Sequence, residues 1–355
     1  MKRVLRVIGC VLLVLVLAVC AGIGYLTATE YRPEAEEAAA AVSGEGTRVL
    51  NPVDPVTVLS WNTGYAGLDD GVDFFMDGGT MVNPSGEDVI RENMQAVADV
   101  IESTDADIYL LQEVDRNCSR TEGIDELQWY GEETGLPWAY GVNYRCKYVP
   151  FPWPPMGRME TGVATLSELQ TTADAVRVSL PCPFSWPIRV ANIKRCLVVN
   201  RYALEGTGKE LVCVDLHLEA YDNGEGKLLQ TQMLMELLQK EYEKGNYVIA
   251  GGDFNQSFPG TMEQYPIKDG ETWEPGQLSE SELSDGWQYA FDASTPTCRL
   301  LNQPYDPDSE KTQYYVIDGF ILSPNVTLQS VETLDLQFAN SDHNPVQLQV
   351  ELEQD

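Results

Sequence analysis

Residues 193–218 read "IKRCLVVNRYALEGTGKELVCVDLHL", two apolar runs rich in β-branched side chains on either side of a Gly206-Thr207-Gly208 turn. That pattern is an antiparallel hairpin. It is followed by "KLLQTQMLMELLQKEYEKG", residues 227–245, a helix stopped by Gly245, and then by "YVIAGGDFN", residues 247–255, a buried-looking strand. Upstream the order is strand, helix, strand. "VTVLSWN" (56–62) precedes "GEDVIRENMQAVADVIEST" (86–104), whose Val89, Ile90, Met94, Val97, Val100 and Ile101 form one helical stripe, and "ADIYLLQEV" (106–114) follows. The chain returns to strands with "YYVIDGFIL" (314–322) and "NPVQLQVEL" (344–352). Hairpins with helices inserted argue for an α/β sandwich of two packed mixed sheets with outer helices rather than a doubly wound parallel sheet. No internal period suggests a repeat array.

The 355 residues, 43% of them hydrophobic, are enough to bury a large core and exclude disorder as the main theme. The first 28 residues carry Lys2, Arg3 and Arg6 and no acid, and Val7 to Leu26 is an apolar run of 20 residues, long enough to cross a bilayer as a helix. It exceeds the ~7–15 residues of a signal-peptide core. An uncleaved single-pass anchor is therefore expected, with Val19-Cys20-Ala21 a weak cleavage site should the segment be a signal sequence. Leu17-Ala18-Val19-Cys20 also resembles a lipoprotein box, with a bulky Val19 where a small residue is usual. The basic flank precedes the helix, so the rest of the chain is expected outside the cell, held at the cell membrane, or secreted after cleavage. Residues 29–55, rich in Ala, Glu, Pro and Gly, suit a linker, which leaves 56–355 as the folded domain.

Three of the 23 Lys and Arg residues and none of the 55 Asp and Glu residues lie in the first 28 positions, so the remainder carries a formal charge of −35. Such a surface repels polyanions unless a basic patch or divalent ions intervene. It also keeps an exported protein soluble. Six cysteines lie outside the apolar segment, an even number that permits disulfides in an exported domain. Without a CxxC pair they do not have zinc-site spacing.

Histidine is scarce, and both copies, His217 and His343, stand where apolar strands finish. So do Asn62 in "LSWNTGY", Glu113 in "YLLQEVD", Asp253 and Asn255 in "IAGGDFNQ", Asp318 in "YYVIDGF" and Asp342 in "NSDHNP". Strand ends are where a rigid scaffold presents functional groups. In isolation each has a plain structural reading, a turn former for Asn62 or an Asx turn for Asp253. Asp253 and Asn255 would share a face if the strand ran through both, and Gly251 and Gly252 would leave room for a substrate or another backbone. Asp342 and His343 would point apart in an extended strand. Together the groups have a joint chemistry: Glu113, Asp342 and an Asn62 oxygen suit a hard cation of the Mg²⁺ type, with Mn²⁺ or Ca²⁺ as alternatives. Asp253 can take a proton from water, Asn255 can hold that water or a phosphate oxygen, both histidines can face developing charge, and Asp318 can orient His343.

The ordered set "SWN", "LLQEVD", "DLHL", "GGDFN", "IDGFIL" and "SDHNPV" resembles the endonuclease/exonuclease/phosphatase superfamily of deoxyribonuclease-I-like metal-dependent hydrolases, from about Val56 to Leu352. "FFMDGG" at 74–79 is similar to its bacterial exported branch. The resemblance implies a four-layer α/β sandwich, with Glu113 as principal metal ligand and Asn62 and Asp342 beside it. It makes Asp253 and Asn255 the water-activating and phosphate-orienting pair, and His217 and His343 phosphate-facing, with Asp318 behind His343. Gly64 stands where some of these nucleases have an acid, which puts a second metal in doubt. The loop "NYRCKYVPFPWPPMGRMETG" (143–162) carries Arg145, Lys147 and Arg158 among aromatics, and either grips a head group or base or is a proline-stiffened surface loop. The expected activity is hydrolysis of a phosphoester, whether nucleic acid, phospholipid or small phosphate ester; a non-catalytic surface binding protein on the same fold is the alternative. No protein partner can be inferred.

Overall fold

The computed structural model describes residues 1–83, 86–222, 224–268, 270 and 273–354. Two seven-stranded mixed sheets face one another. The first runs in the order β13 (Val326–Thr333), β14 (Val346–Leu352), β3 (Val56–Asn62), β4 (Ile108–Asp115), β6 (Gly157–Leu166), β5 (Trp138–Val149) and β2 (Ala41–Ser43). The second runs β1 (Glu36–Ala38), β7 (Val176–Ser179), β8 (Cys196–Ala203), β9 (Glu210–His217), β10 (Tyr247–Asp253), β12 (Asp318–Leu322) and β11 (Gln288–Ala290). Near the middle of each sheet lies one parallel pair, β3 with β4 and β9 with β10. A parallel pair needs a crossover, supplied by α2 (Glu87–Thr104) in the first sheet and α4 (Glu225–Glu243) in the second. The hairpin read at 193–218 is β8 and β9, paired antiparallel from Leu197–Leu216 to Ala203–Glu210.

Period-2 alternation sorts side chains between layers. Leu211 and Cys213 of β9 meet Val58, Leu110, Leu348, Ile249 and Phe320 in the core between the sheets. Val212, Val214 and Leu216 turn outward under Leu234 and Leu238 of α4. Helix α2 places Ile90, Met94, Val97 and Ile101 on Leu59, Trp61 and Leu111, joined by Leu127 and Tyr130 of α3 (Glu126–Thr134). Each fully buried side chain of this kind contributes about 1.5–3 kcal/mol. The result is the expected four-layer α/β sandwich. Preceding it, α1 (Lys2–Ala28) contains an 18-residue stretch with a mean hydropathy of 2.9 and no buried residue, long and apolar enough to cross a membrane or to be a signal sequence.

Residues 29–55 do not form the free tether their composition suggests. Strand β1 pairs with β7 and, two residues on, β2 pairs with β5, so one short segment closes the same edge of both sheets. The segment then continues along the body through bridges from Arg48 to Leu169 and from Leu50 to Leu204. Backbone pairing and the burial of Leu50 outweigh a composition poor in large apolar side chains. The six cysteines outside α1 are all free thiols, buried or partly buried.

Candidate active site

Register brings the polar strand ends together. Asp253 closes β10 opposite His217 of β9 on one side and Asp318 of β12 on the other. Asn62 ends β3 in the facing sheet, and the turn before β14 supplies Asp342 and His343. Glu113 arrives differently: β4 slips register against β6 between Leu111 and Val114, and Glu113 takes φ +57° in that bulge. A left-handed conformation costs a non-glycine residue about 1–3 kcal/mol, and bulges of this kind re-aim a side chain. Here it leaves the Glu113 side chain 27% exposed, while those of His217 and Asp253 are 6% and 2% exposed.

Asp253 is the hub. Its Oδ2 lies 3.3 Å from His217 Nε2 and 3.9 Å from His343 Nε2 and accepts from Asn62 Nδ2 at 3.0 Å, while Oδ1 accepts the Asn255 backbone N–H at 2.8 Å. His343 Nδ1 is 2.8 Å from Asp318 Oδ2. Glu113 Oε1 is 4.0 Å from His217 Nε2 and accepts from Asn62 Nδ2 at 3.3 Å. Burial pushes Asp253 up to about 7, aided by Asp318, and Asp342 up to about 6, aided by Glu113. The two imidazoles are driven apart. Burial, Arg195 and His343 hold His217 well below the ordinary histidine range. For His343, burial acts downward too but is outweighed by Asp318, so it stays charged at neutral pH.

Glu113, His217, Asp253, Asn255, Asp342 and His343 line the floor of one cavity of about 850 Å³, with Asn62 and Asp318 directly behind. Several local expectations change. Asp342 and His343 do not point apart: the turn is not extended strand, and Asp342 Oδ2 lies 3.9 Å from His343 Nε2. Strand β10 stops at Asp253, and Asn255, at φ +51°, turns its Nδ2 to Leu218 O at 2.9 Å, so strand alternation does not set its direction. Asn62 offers Nδ2 to the carboxylates, while its Oδ1 accepts the Gly64 N–H at 3.1 Å. The room left by Gly252 is taken by the neighbouring strand, since a Cβ there would lie 1.9 Å from Leu216 O. Gly64, at φ +53°, has no space for an acidic side chain, because its Cβ would already sit 3.0 Å from Asp342 Oδ1. The 143–162 stretch is mostly strand, the end of β5 and the start of β6 with only 150–156 between them; Arg145 of β5 pairs with Glu160 of β6 at 3.0 Å and Arg158 Nε donates to Asn117 O at 2.7 Å.

Three groups on the cavity escaped the sequence reading. Arg195 is buried, and among the described residues its guanidinium has no hydrogen bond or ion pair; Nε is fully enclosed without a partner. The signal was available in the Lys194-Arg195 pair at the mouth of the apolar run "CLVV". Asp77, raised to about 7 by burial and then by Asp342, accepts from Tyr221 Oη at 3.2 Å. Arg120, the third, is sealed in the wall with Asp115 at 2.8 Å and stacks over the Tyr65 ring.

The donors fit a hard divalent cation. Burial raises the two carboxylates Asp253 and Asp342, which a bound cation would relieve, and Asp318 Oδ1 has no partner among the described residues. The closest ligand groupings are Cys298, Asp342 and His343, and Asp253, Asp318 and His343. Burial lifts Cys298 to about 12, which keeps it a thiol, and Asp318 already engages His343. The open oxygens are those of Glu113 and Asp342.

Residues 59–343 match the family model described as Endonuclease/Exonuclease/phosphatase family. A comparison with curated proteins finds no match. Among solved structures, an endonuclease/exonuclease/phosphatase from Beutenbergia cavernae DSM 12333 superposes with a TM-score of 0.60 at 17% identity, covering 84% of this chain and 72% of that one. An endonuclease/exonuclease/phosphatase family protein from Leptotrichia buccalis C-1013-b gives 0.55 at 14%, covering 84% and 100%. The human Nocturnin catalytic domain, solved with a bound sulfate anion, gives 0.51 at 15%, covering 86% and 96%. These likenesses establish the shared fold, and the family match spans most of the sequence. The chain belongs to the endonuclease/exonuclease/phosphatase family, a family of phosphoester hydrolases.

Proposed function

We propose that this protein is a divalent-metal-dependent phosphoester hydrolase, held at the outer face of the cell membrane by α1, with residues 56–355 as its catalytic domain. The observation that carries the reading is Asp253, set among two imidazoles of opposite charge state and Asn62 on the floor of the cavity. Glu113 and Asp342 would hold Mg²⁺, with Asn62 adjacent; Mn²⁺ or Ca²⁺ would suit the same oxygens. When bound, the ion neutralises charge on the phosphate.

Asp253, oriented by the Asn255 backbone N–H and Asn62 Nδ2, accepts a proton from the attacking water. His343, kept charged by Asp318, presents Nε2 to a phosphate oxygen where negative charge grows. Neutral His217 donates to a second oxygen, Asn255 offers its amide oxygen to the water, and Arg195 gives the anion a fixed counter-charge. The test is hydrolysis of bis(p-nitrophenyl) phosphate by the full chain in detergent. Activity that EDTA abolishes and Mg²⁺ restores is expected. Turnover indifferent to EDTA would overturn the metal role, and tight binding of phosphate esters without turnover would overturn the enzymatic one.

A further inference from the structure

Above the charged floor the cavity is apolar. Its walls carry Leu68, Phe74, Phe75, Phe151, Met156 and Ile188. Two more wall side chains, Ile23 and Leu26, belong to α1, and Leu26 packs on the cluster of Tyr144, Val149 and Met159 that forms the adjoining wall. The end of α1 is fastened there: Trp186 Nε1 donates to Thr27 Oγ1 at 3.1 Å and Arg189 Nε to Glu30 Oε1 at 3.1 Å. The loop that makes these contacts leaves Trp186 and Ile188 exposed, and the turn after β5 leaves Phe151 71% and Trp153 88% exposed. Phe151 and Ile188 line the cavity mouth, and exposed aromatics near the end of an apolar helix suit the level of lipid head groups.

The cations are few. Arg120 is consumed by Asp115 and Arg299 donates to backbone oxygens of Asp69 and Gln303, whereas Arg195 has no hydrogen-bond or ion-pair partner among the described residues. A polyanion needs a track of Lys and Arg along its backbone; a single phosphate needs one. With a formal charge of −32 overall, this chain is built for the second case.

We propose that the substrate is a membrane phospholipid: the aromatic rim rests in the bilayer interface, the lipid's apolar part enters between α1 and the loops, and its phosphodiester reaches the floor beside Arg195. The proposal rests on the hydrolase reading and on α1 being retained. Water adds its oxygen to phosphorus and the P–O bond to the lipid alcohol breaks. One proton passes from water to Asp253 and one from His343 to the departing alkoxide. The products are the lipid alcohol and the phosphorylated head group.

The experiment compares the full chain, with Mg²⁺, on phosphatidylcholine/phosphatidylglycerol vesicles (phosphorus NMR of released head group), on bis(p-nitrophenyl) phosphate and on single-stranded DNA. The lipid should be cleaved at least about tenfold more efficiently than either soluble substrate. Trp153→Ser, outside the cavity, should lower the vesicle rate by about tenfold and leave the soluble diester unchanged. Cleavage of the soluble diester or DNA with the vesicles untouched overturns the lipid assignment and leaves the hydrolase reading standing. An equal effect of Trp153→Ser on both substrates overturns the interfacial rim. Inertness toward all three, with Mg²⁺ or Mn²⁺, sinks the hydrolase reading and the lipid assignment with it.

Discussion

The floor of the cavity and its walls are built by opposite means. Floor groups come from the ends of hydrogen-bonded strands in both sheets, where register fixes Asp253 against His217 and Asp318. Wall groups come largely from turns and from a helix outside the sandwich, set on Tyr144, Val149 and Met159 of β5 and β6, with aromatic edges such as Phe75 on Phe151, 6.3 Å between ring centroids. The floor is stiff and charged, the walls adaptable and greasy. On the proposed function, chemistry would be separated from selection: the groups facing the phosphate could stay fixed while the surface around its carrier varies.

The contrast can be broken at four places. His343→Ala should cut hydrolysis by about three orders of magnitude, in the range removed with a positioned acid–base group, without moving the melting temperature by more than a few degrees. A variant that melts early instead would make this imidazole a structural group. In the wall, Arg120→Met strands the Asp115 carboxylate in a sealed site and should cost about 3–5 kcal/mol in urea unfolding. Little change there would mean that the wall is as soft at its base as at its rim.

Arg195→Met should raise KM about tenfold or more with a smaller change in kcat, and Arg195→Lys should recover part of it. Equal loss in both variants, confined to kcat, would place Arg195 with the proton-handling groups. The smallest effect concerns Asp77, whose pKa in the folded state is about 7 against an ordinary 3.8. A raised folded pKa means that the native state binds the extra proton between those values, so the contribution is complete below pH 4 and is lost as pH rises through 7. Asp77→Asn should therefore stabilise the protein at pH 8, by up to a few kcal/mol, and leave it nearly unchanged at pH 4, as read from melting curves at the two pH values.

Floor and walls also differ in how far they can be read from sequence. Asn62, His217, Asp253 and Asp318 stand out because each ends a short apolar run, and His343 because it precedes one, a local signal. That Glu113 needs a bulge is not local: the slip arises from pairing with β6, some fifty residues on. Asp342 and His343 were assigned to opposite faces because alternation presumes a strand, and a tight turn has none. Arg195 looks like any strand-entry cation until the fold buries its Nε without a partner among the described residues. The walls draw on residues from α1 to Tyr315, and no periodicity links them.

The segment that closes both sheets has a mechanical consequence. As free chain, the 27 residues from 29 to 55 would give a leash of roughly 90 Å. With β1 starting at Glu36, about seven residues remain, roughly 23 Å at full stretch, and the Trp186–Thr27 and Arg189–Glu30 contacts take up that slack too. With α1 as a span, the catalytic body is a bracketed fixture whose height and tilt above its own bilayer are set. It patrols a plane by lateral diffusion, and targets on other surfaces or free in the medium must come to it.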